Sequence, residues 1–256
     1  MDSGAYKAFC GCRRQFFETA QNIRDALPGL RDLQQRLVDA RDGPRYSVDT
    51  PVVYNEALDD VDERSDIRLI LVADNPGRRE QAAENRRYLV GPSGKIADTF
   101  FKNEPGLSID FRKNIIILNK TPVHTPRTAC LKELCRLGGE EAARVIGDSQ
   151  TAMACLLADF YAALRVPVWI CGYSEMKKRG VFERYTAALR ELILTEKLDK
   201  DNVFLYRHFS MNQFTIDLRQ KSIPGASESP AETLRRIGSG YREKILARQL
   251  SKVTLS

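Results

Sequence analysis

A carboxylate, two side-chain amides and an imidazole that meet around one substrate can orient a water, read the polar edge of a ligand and stabilise developing negative charge. The sequence offers such a set at three places: Asp74-Asn75, Asn119 and His208. Each follows a short apolar run of strand length. Arg68 to Ala73 ends at Asp74-Asn75-Pro76-Gly77, where Pro and Gly stop a ladder and turn the chain. Ile115-Ile116-Ile117-Leu118 ends in Asn119, and Val203-Phe204-Leu205-Tyr206 leads to Arg207-His208. Taken singly, each residue has a plainer reading. Asn and Asp after a strand are common turn formers, and a lone His is more often a surface or satisfied core residue than a catalyst. Their shared position just past a strand end gives the functional reading its weight, because ligands bind outside the carboxyl ends of parallel strands.

A fourth stretch adds an anion site. Gly91-Pro92-Ser93-Gly94 runs into Lys95-Ile96-Ala97-Asp98-Thr99-Phe100-Phe101, which has helical spacing. A glycine-rich turn feeding a helix start offers free N–H groups and a positive dipole end to phosphate. It is not a P-loop, since that pattern needs Gly at Leu89 and Ser or Thr at Ile96.

The elements that must position these groups alternate between strand and helix. Residues 1 to about 41 have helical spacing interrupted at Pro28-Gly29, and 45–66 read as a polar loop with one weak strand or helix. Runs at 68–73, 114–119, 167–172 and 202–206 are the strands. Helices are expected after Gly91, from Thr128 (as cap) through Cys135 to a stop at Gly138-Gly139, over about 149–164 and 178–195, and in the tail from Pro230 with a basic outward face. This order implies an α/β fold, a three-layer sandwich whose central four-stranded, mostly parallel sheet is flanked by helices. One domain spans 1–256, with 1–41 as an amino-terminal helical extension and 230–256 as a basic carboxyl-terminal helix.

At 43% hydrophobic and 29% charged residues the composition is that of an ordinary soluble globular chain. No stretch reaches the roughly 18 apolar residues of a membrane span, and the start lacks the apolar core of a secretory signal. The expectation is an intracellular monomer, cytoplasmic or nucleoid-associated. The net charge is +6 and the pI about 9.0; from Ala231 onward six basic residues stand against two acidic ones, whereas the first 66 residues are rich in Asp. That asymmetry suits one polyanion-facing side. The six cysteines, Cys10, Cys12, Cys130, Cys135, Cys155 and Cys171, are expected to be free thiols, the last two in the core.

The motifs together resemble the uracil-DNA glycosylase superfamily over about residues 66–215. Ala73-Asp74-Asn75-Pro76-Gly77 matches its strand followed by a G-x-[ND]-P-G-like turn, with Ala for the first Gly. Arg87-Tyr88-Leu89-Val90-Gly91-Pro92-Ser93-Gly94 matches the R-x-x-V-G-P-x-G stretch of the thermostable bacterial and archaeal branch. Ile116-Ile117-Leu118-Asn119 matches the strand ending in the base-reading Asn, and His208-Phe209-Ser210 the closing H-P-S loop. Three features depart. Leu89 stands where that branch has a base-stacking Phe, Phe209 replaces the loop Pro, and the cysteine spacings argue against the branch's iron–sulfur cluster.

The resemblance implies DNA as partner, with base flipping and hydrolysis of the N-glycosidic bond of a deaminated base, uracil first, in base excision repair. It implies Asn75 and Asp74 as water-positioning groups and His208 as the donor to the leaving base. Asn119 would read that base, with Tyr88, Leu89 and Phe100 around it. Phosphates and flanking DNA would fall to Pro76, Gly77, Gly91, Pro92, Ser93, Gly94, Lys120, Arg207 and Ser210, and Phe209 or Met211 would wedge into the emptied stack. No metal or other cofactor is implied by the residues themselves. A non-catalytic nucleic-acid-binding or interaction protein on the same fold is the rival reading.

Overall fold

The computed structural model describes residues 1–221 and 228–246. Two helices open the chain, α1 (Ser3–Ala26) and α2 (Leu30–Asp39), separated at the expected Pro28-Gly29 break. Strand β1 (Leu69–Ala73) follows a loop that holds a short 3-10 turn, Glu56–Asp60, and one isolated bridge from Val52 to Val123 in place of the expected strand or helix. After a single helical turn, α3 (Arg78–Gln81), come α4 (Pro92–Asn103), β2 (Ile115–Asn119), α5 (Cys130–Leu164), β3 (Val168–Cys171), α6 (Glu183–Leu194), β4 (Val203–Tyr206), α7 (Gln213–Lys221) and α8 (Pro230–Leu246).

The four strands form one sheet in the order β2-β1-β3-β4, and every pairing is parallel. All four are buried along their whole length, as expected for continuous apolar runs covered on both faces. The chain moves one way from β1 to β2 and the other way from β2 to β3 and on to β4. With right-handed crossovers, that reversal puts α4 on one face and α5 with α6 on the other. Contacts agree: α1, α2 and α6 pack on α5, while α8 lies on β4 and against α7. The reversal also opens a crevice beyond the carboxyl ends of β1 and β3, the switch point where such sheets bind ligands.

The core against α4 is aromatic. Phe209 stacks on Phe214 (4.6 Å between centroids), Phe214 on Trp169 (5.8 Å), and Phe100 meets Phe214 edge-on at 4.7 Å. Phe100 and Phe209, expected at a base or in a DNA stack, are therefore packing residues, 4% and 1% exposed. The first helical segment of α5 stops at Gly138-Gly139 as expected, where Gly139 takes a non-helical φ of 67°, and a second segment resumes directly, earlier than the expected start near 149. Thr128 does not cap α5; its hydroxyl bonds Asp74 instead. Along α8, Arg235, Arg236 and Lys244 face outward, but Arg242 turns in to the carbonyls of Lys200 and Val203. The rest of the expected terminal helix, 247–256, lies outside the described residues. All six cysteines are free; Cys171 is buried as expected, but Cys155 is exposed. Among the described residues no helix is long and apolar enough to cross a membrane.

Phe209→Ala is expected to cost roughly 3–5 kcal/mol of folding stability, the usual range for emptying a buried aromatic site. Urea unfolding of the variant measures this, and a loss below about 1 kcal/mol would put Phe209 outside the core.

Candidate functional site

The crevice at the switch point is a cavity of about 400 Å³. Asp74 and Asn75 from the end of β1, His208 from the end of β4, and Leu89, Gly91, Pro92 and Ser93 from the start of α4 all line it. Residues far apart in sequence thus meet as their strand ends predict. Among the lining residues, Arg78, Arg79 and Arg127 stand exposed at the rim, and no carboxylate pairs with them among the described residues. Sequence reasoning missed all three. Their signal was position: Arg78 and Arg79 follow the Pro76-Gly77 turn directly, and Arg127 follows Pro126 in the loop that closes over it.

Asn75 is oriented by its amide nitrogen, which donates to Thr125 Oγ1 (2.8 Å) and to the Val123 carbonyl (3.2 Å). Those acceptors fix which end of the amide is which and leave Oδ1 as the group available to hold a water. His208 is fixed in the same way. Its Nδ1 accepts from the Ser210 backbone N–H at 3.0 Å, so the neutral ring carries its proton on Nε2 and presents that nitrogen as a donor. Burial lowers the His208 pKa, Lys120 lowers it further and Asp74 opposes the shift. Ser210 spends its N–H and its hydroxyl (2.8 Å) on this ring and so offers neither to phosphate.

Asp74 sits where a base would, but its carboxylate is clamped. Oδ1 pairs with Lys120 Nζ at 2.6 Å, and Oδ2 accepts from Thr128 Oγ1 at 3.2 Å. On its third side is Gly172 (φ 83°), where a Cβ would stand 2.3 Å from Oδ1. Lys120, expected at phosphate, is fully buried and ties Asp74 to the carbonyls of Ala73 and Cys171.

The walls are held by further buried polar groups. Glu80 accepts from the Gly77 N–H through one oxygen and from the Leu89 N–H through the other, each at 2.5 Å, and its burial raises its pKa. Leu89 adopts φ 52°, a left-handed conformation costly for a branched side chain, and Arg112 Nη2 grips its carbonyl at 2.6 Å. Gly94 is required beneath it, because a Cβ there would lie 1.5 Å from the Leu89 oxygen. His124 holds the other wall: its Nδ1 bonds the Pro76 carbonyl at 2.9 Å, and Tyr46 meets its Nε2 at 3.0 Å. Thus Pro76 and Gly77 are bound internally, and Gly77 lines the cavity without a free N–H. At the start of α4, Gly91 provides no side-chain cap to the first N–H groups of the helix, that of Ser93 among them.

The remaining expected residues lie elsewhere. Tyr88 is 1% exposed and gives its hydroxyl to the Val53 carbonyl at 2.6 Å, so it belongs to the core and not to a stacking platform. Asn119 does not line the cavity. The register pairs it with Ala73, which does, so its side chain lies on the same sheet face one strand away. It is 2% exposed, and its side chain lies against that of Tyr88. Arg207 is tied to Gln213 at 2.6 Å and to Tyr173. Met211 alone of the expected wedge residues projects, 80% exposed on a left-handed backbone (φ 54°). Among the described residues no group of three or more His, Cys, Asp or Glu is arranged to hold a metal.

No family model, curated protein or solved structure matches this chain.

Burial lowers the His124 pKa to about 4, from an ordinary 6.5. A depressed folded value means that the stability it confers is whole above about pH 6.5 and disappears as the pH falls toward 4. That loss is about 3 kcal/mol. Urea unfolding across this range is expected to show it, and His124→Gln to flatten the slope; equal slopes would contradict the assignment.

Proposed function

We propose that the chain is a DNA glycosylase of the uracil-DNA glycosylase type, which extrudes a deaminated base, uracil first, and hydrolyses its N-glycosidic bond. The observation that carries this is the meeting of Asn75, with its Oδ1 left free by the amide's donors, and His208, with its proton on Nε2, in one cavity rimmed by Arg78, Arg79 and Arg127, which pair with no carboxylate among the described residues. The motif resemblance supports the reaction class, and the geometry supports the roles given to these residues.

In the proposed reaction the C1′–N1 bond breaks and its electron pair leaves with the uracil, whose oxygen takes on negative charge. His208 Nε2–H donates to that oxygen, the kind of preorganised interaction that contributes most where charge develops. A neutral donor suits an anionic leaving group without first forming an ion pair with it. Water held by Asn75 Oδ1 forms the new C1′–O bond. An amide cannot take the water's proton at neutral pH, so that proton passes to solvent or to the departing uracil as the sugar cation is captured. Arg78, Arg79, Arg127 and the Ser93 N–H hold backbone phosphates, and Met211 enters the gap in the stack. No step uses a metal or cofactor.

A second reading has its own observation. Among the described residues no aromatic ring lines the cavity except the imidazole of His208, and Leu89 stands where a stacking ring is expected. This favours a nucleic-acid-binding or interaction protein that holds a strand without cleaving it.

Release of free uracil from single- and double-stranded oligonucleotides separates the two. The unmutated protein is expected to release it, His208→Ala to lose roughly 100- to 1,000-fold in rate, and Asn75→Ala to lose activity while retaining DNA binding. Binding without release by the unmutated protein supports the second reading. Changing each of Arg78, Arg79 and Arg127 to Ala is expected to weaken DNA binding uniformly across sequences and to reduce the salt slope by about 1 per residue. An unchanged slope would remove that arginine from the interface.

A further inference from the structure

The buried Lys120–Asp74 pair has no place in the water-and-donor scheme above, yet it lies against it. Lys120 is 0% exposed, and an amine so placed needs partners for its charge and all its donors. It has them in Asp74 Oδ1 (2.6 Å), the Ala73 and Cys171 carbonyls, and the Phe182 ring, whose centroid is 4.9 Å from Nζ. These come from β1, β3 and the start of α6, while Lys120 itself follows β2. The clamp therefore spans three strand ends directly behind the cavity.

Asp74 and His208 line the same cavity. A free carboxylate beside a histidine would draw a second proton onto the ring and turn it into an imidazolium. Here the carboxylate is held by other partners. Lys120 holds Oδ1, Thr128 holds Oδ2, and the lack of a Cβ at Gly172 lets the group settle into that position. We propose that Lys120 is a positioning residue: it keeps the Asp74 carboxylate on its own side and places a positive charge behind His208, so that the imidazole meets its ligand as a neutral Nε2–H donor. Glu80, Arg78 and Arg79 from α3 and Arg127 from the loop before α5 line the same cavity as His208, whose own loop contributes Arg207, tied to Gln213, and the uncharged Ser210. Asp74 from the end of β1 and Lys120 from the end of β2 act on His208. The two charges act on the ring in opposite senses, and burial sets it below its ordinary value. The titration behaviour stands apart from the reaction class, whereas its value to catalysis rests on the glycosylase reading.

The chain has two histidines, so the ring-proton resonances of His208 and His124 can be followed separately by NMR as pH is varied. Lys120→Gln keeps a donor for Asp74 without the charge, and is expected to raise the His208 midpoint by about one unit or more while leaving that of His124 in place. Asp74→Asn keeps an acceptor for Lys120 and is expected to lower the His208 midpoint. If Lys120→Gln does not fold, the Asp74→Asn titration decides alone. A His208 midpoint that is unmoved, or moved the opposite way, in the folded variant overturns the proposal. Uracil release is read in parallel: where the unmutated protein is active, Lys120→Gln is expected to shift the rising limb of its pH profile upward with the His208 midpoint. Midpoints that move as expected in a protein that releases no uracil would uphold the positioning role and reject the glycosylase reading.

Discussion

A lysine without solvent contact is costly unless its charge and donors are all met, and removing one partner of a buried pair typically costs about 3–5 kcal/mol. Lys120 meets that demand only where the ends of β1, β2 and β3 are drawn together, since its acceptors are Asp74, Ala73 and Cys171. The apolar strands would pair in this order for hydrophobic reasons alone. The ion pair adds a constraint those side chains cannot supply, fixing how the carboxyl edge closes and where the Asp74 carboxylate points. Gly172 at φ 83° is the backbone counterpart of that constraint, because any Cβ there would displace the carboxylate.

The same device recurs around the cavity. Glu80 joins the turn after β1 to the loop before α4 by accepting from Gly77 and Leu89, and Arg112 holds Leu89 from the other side in a conformation it would not adopt unaided. His124 fixes Pro76, and Thr125 fixes Asn75. Buried polar groups with satisfied partners rigidify loops that apolar contacts would leave free to slide. Preorganisation follows: the Asn75 oxygen and the His208 Nε2–H are set before any ligand arrives, so less ordering is left to be done on binding.

The four strands, their parallel pairing and the shared edge that carries Asp74, Asn75 and His208 were legible in the sequence because apolar runs of strand length followed by Asn, Asp or His carry that information locally. The roles of Lys120, Phe209 and Tyr88 were not. A lysine after a strand reads as a surface cation unless the Asp74 that neutralises it is known to be 2.6 Å away, a contact across 46 positions. Phe209 and Phe100 read as ligand-facing because the motifs place them near the site, but their rings serve the cluster around Phe214 and Trp169. The stop at Gly138-Gly139 was legible because paired glycines usually end a helix; what was not legible is that a second helical segment starts directly after it. The rim arginines escaped notice because a single charged residue in a loop shows its importance only through what it faces.

The central claim is that a base enters the cavity beside His208 while His124 stays behind the wall as a structural group. Titrating the protein with a short oligonucleotide that carries one uracil, and following both histidine resonances by NMR, tests it most directly. The account predicts that His208 shifts strongly and His124 hardly at all, and that a uracil-free oligonucleotide of the same length moves neither. Equal shifts of the two rings, or the same response to both oligonucleotides, would contradict it.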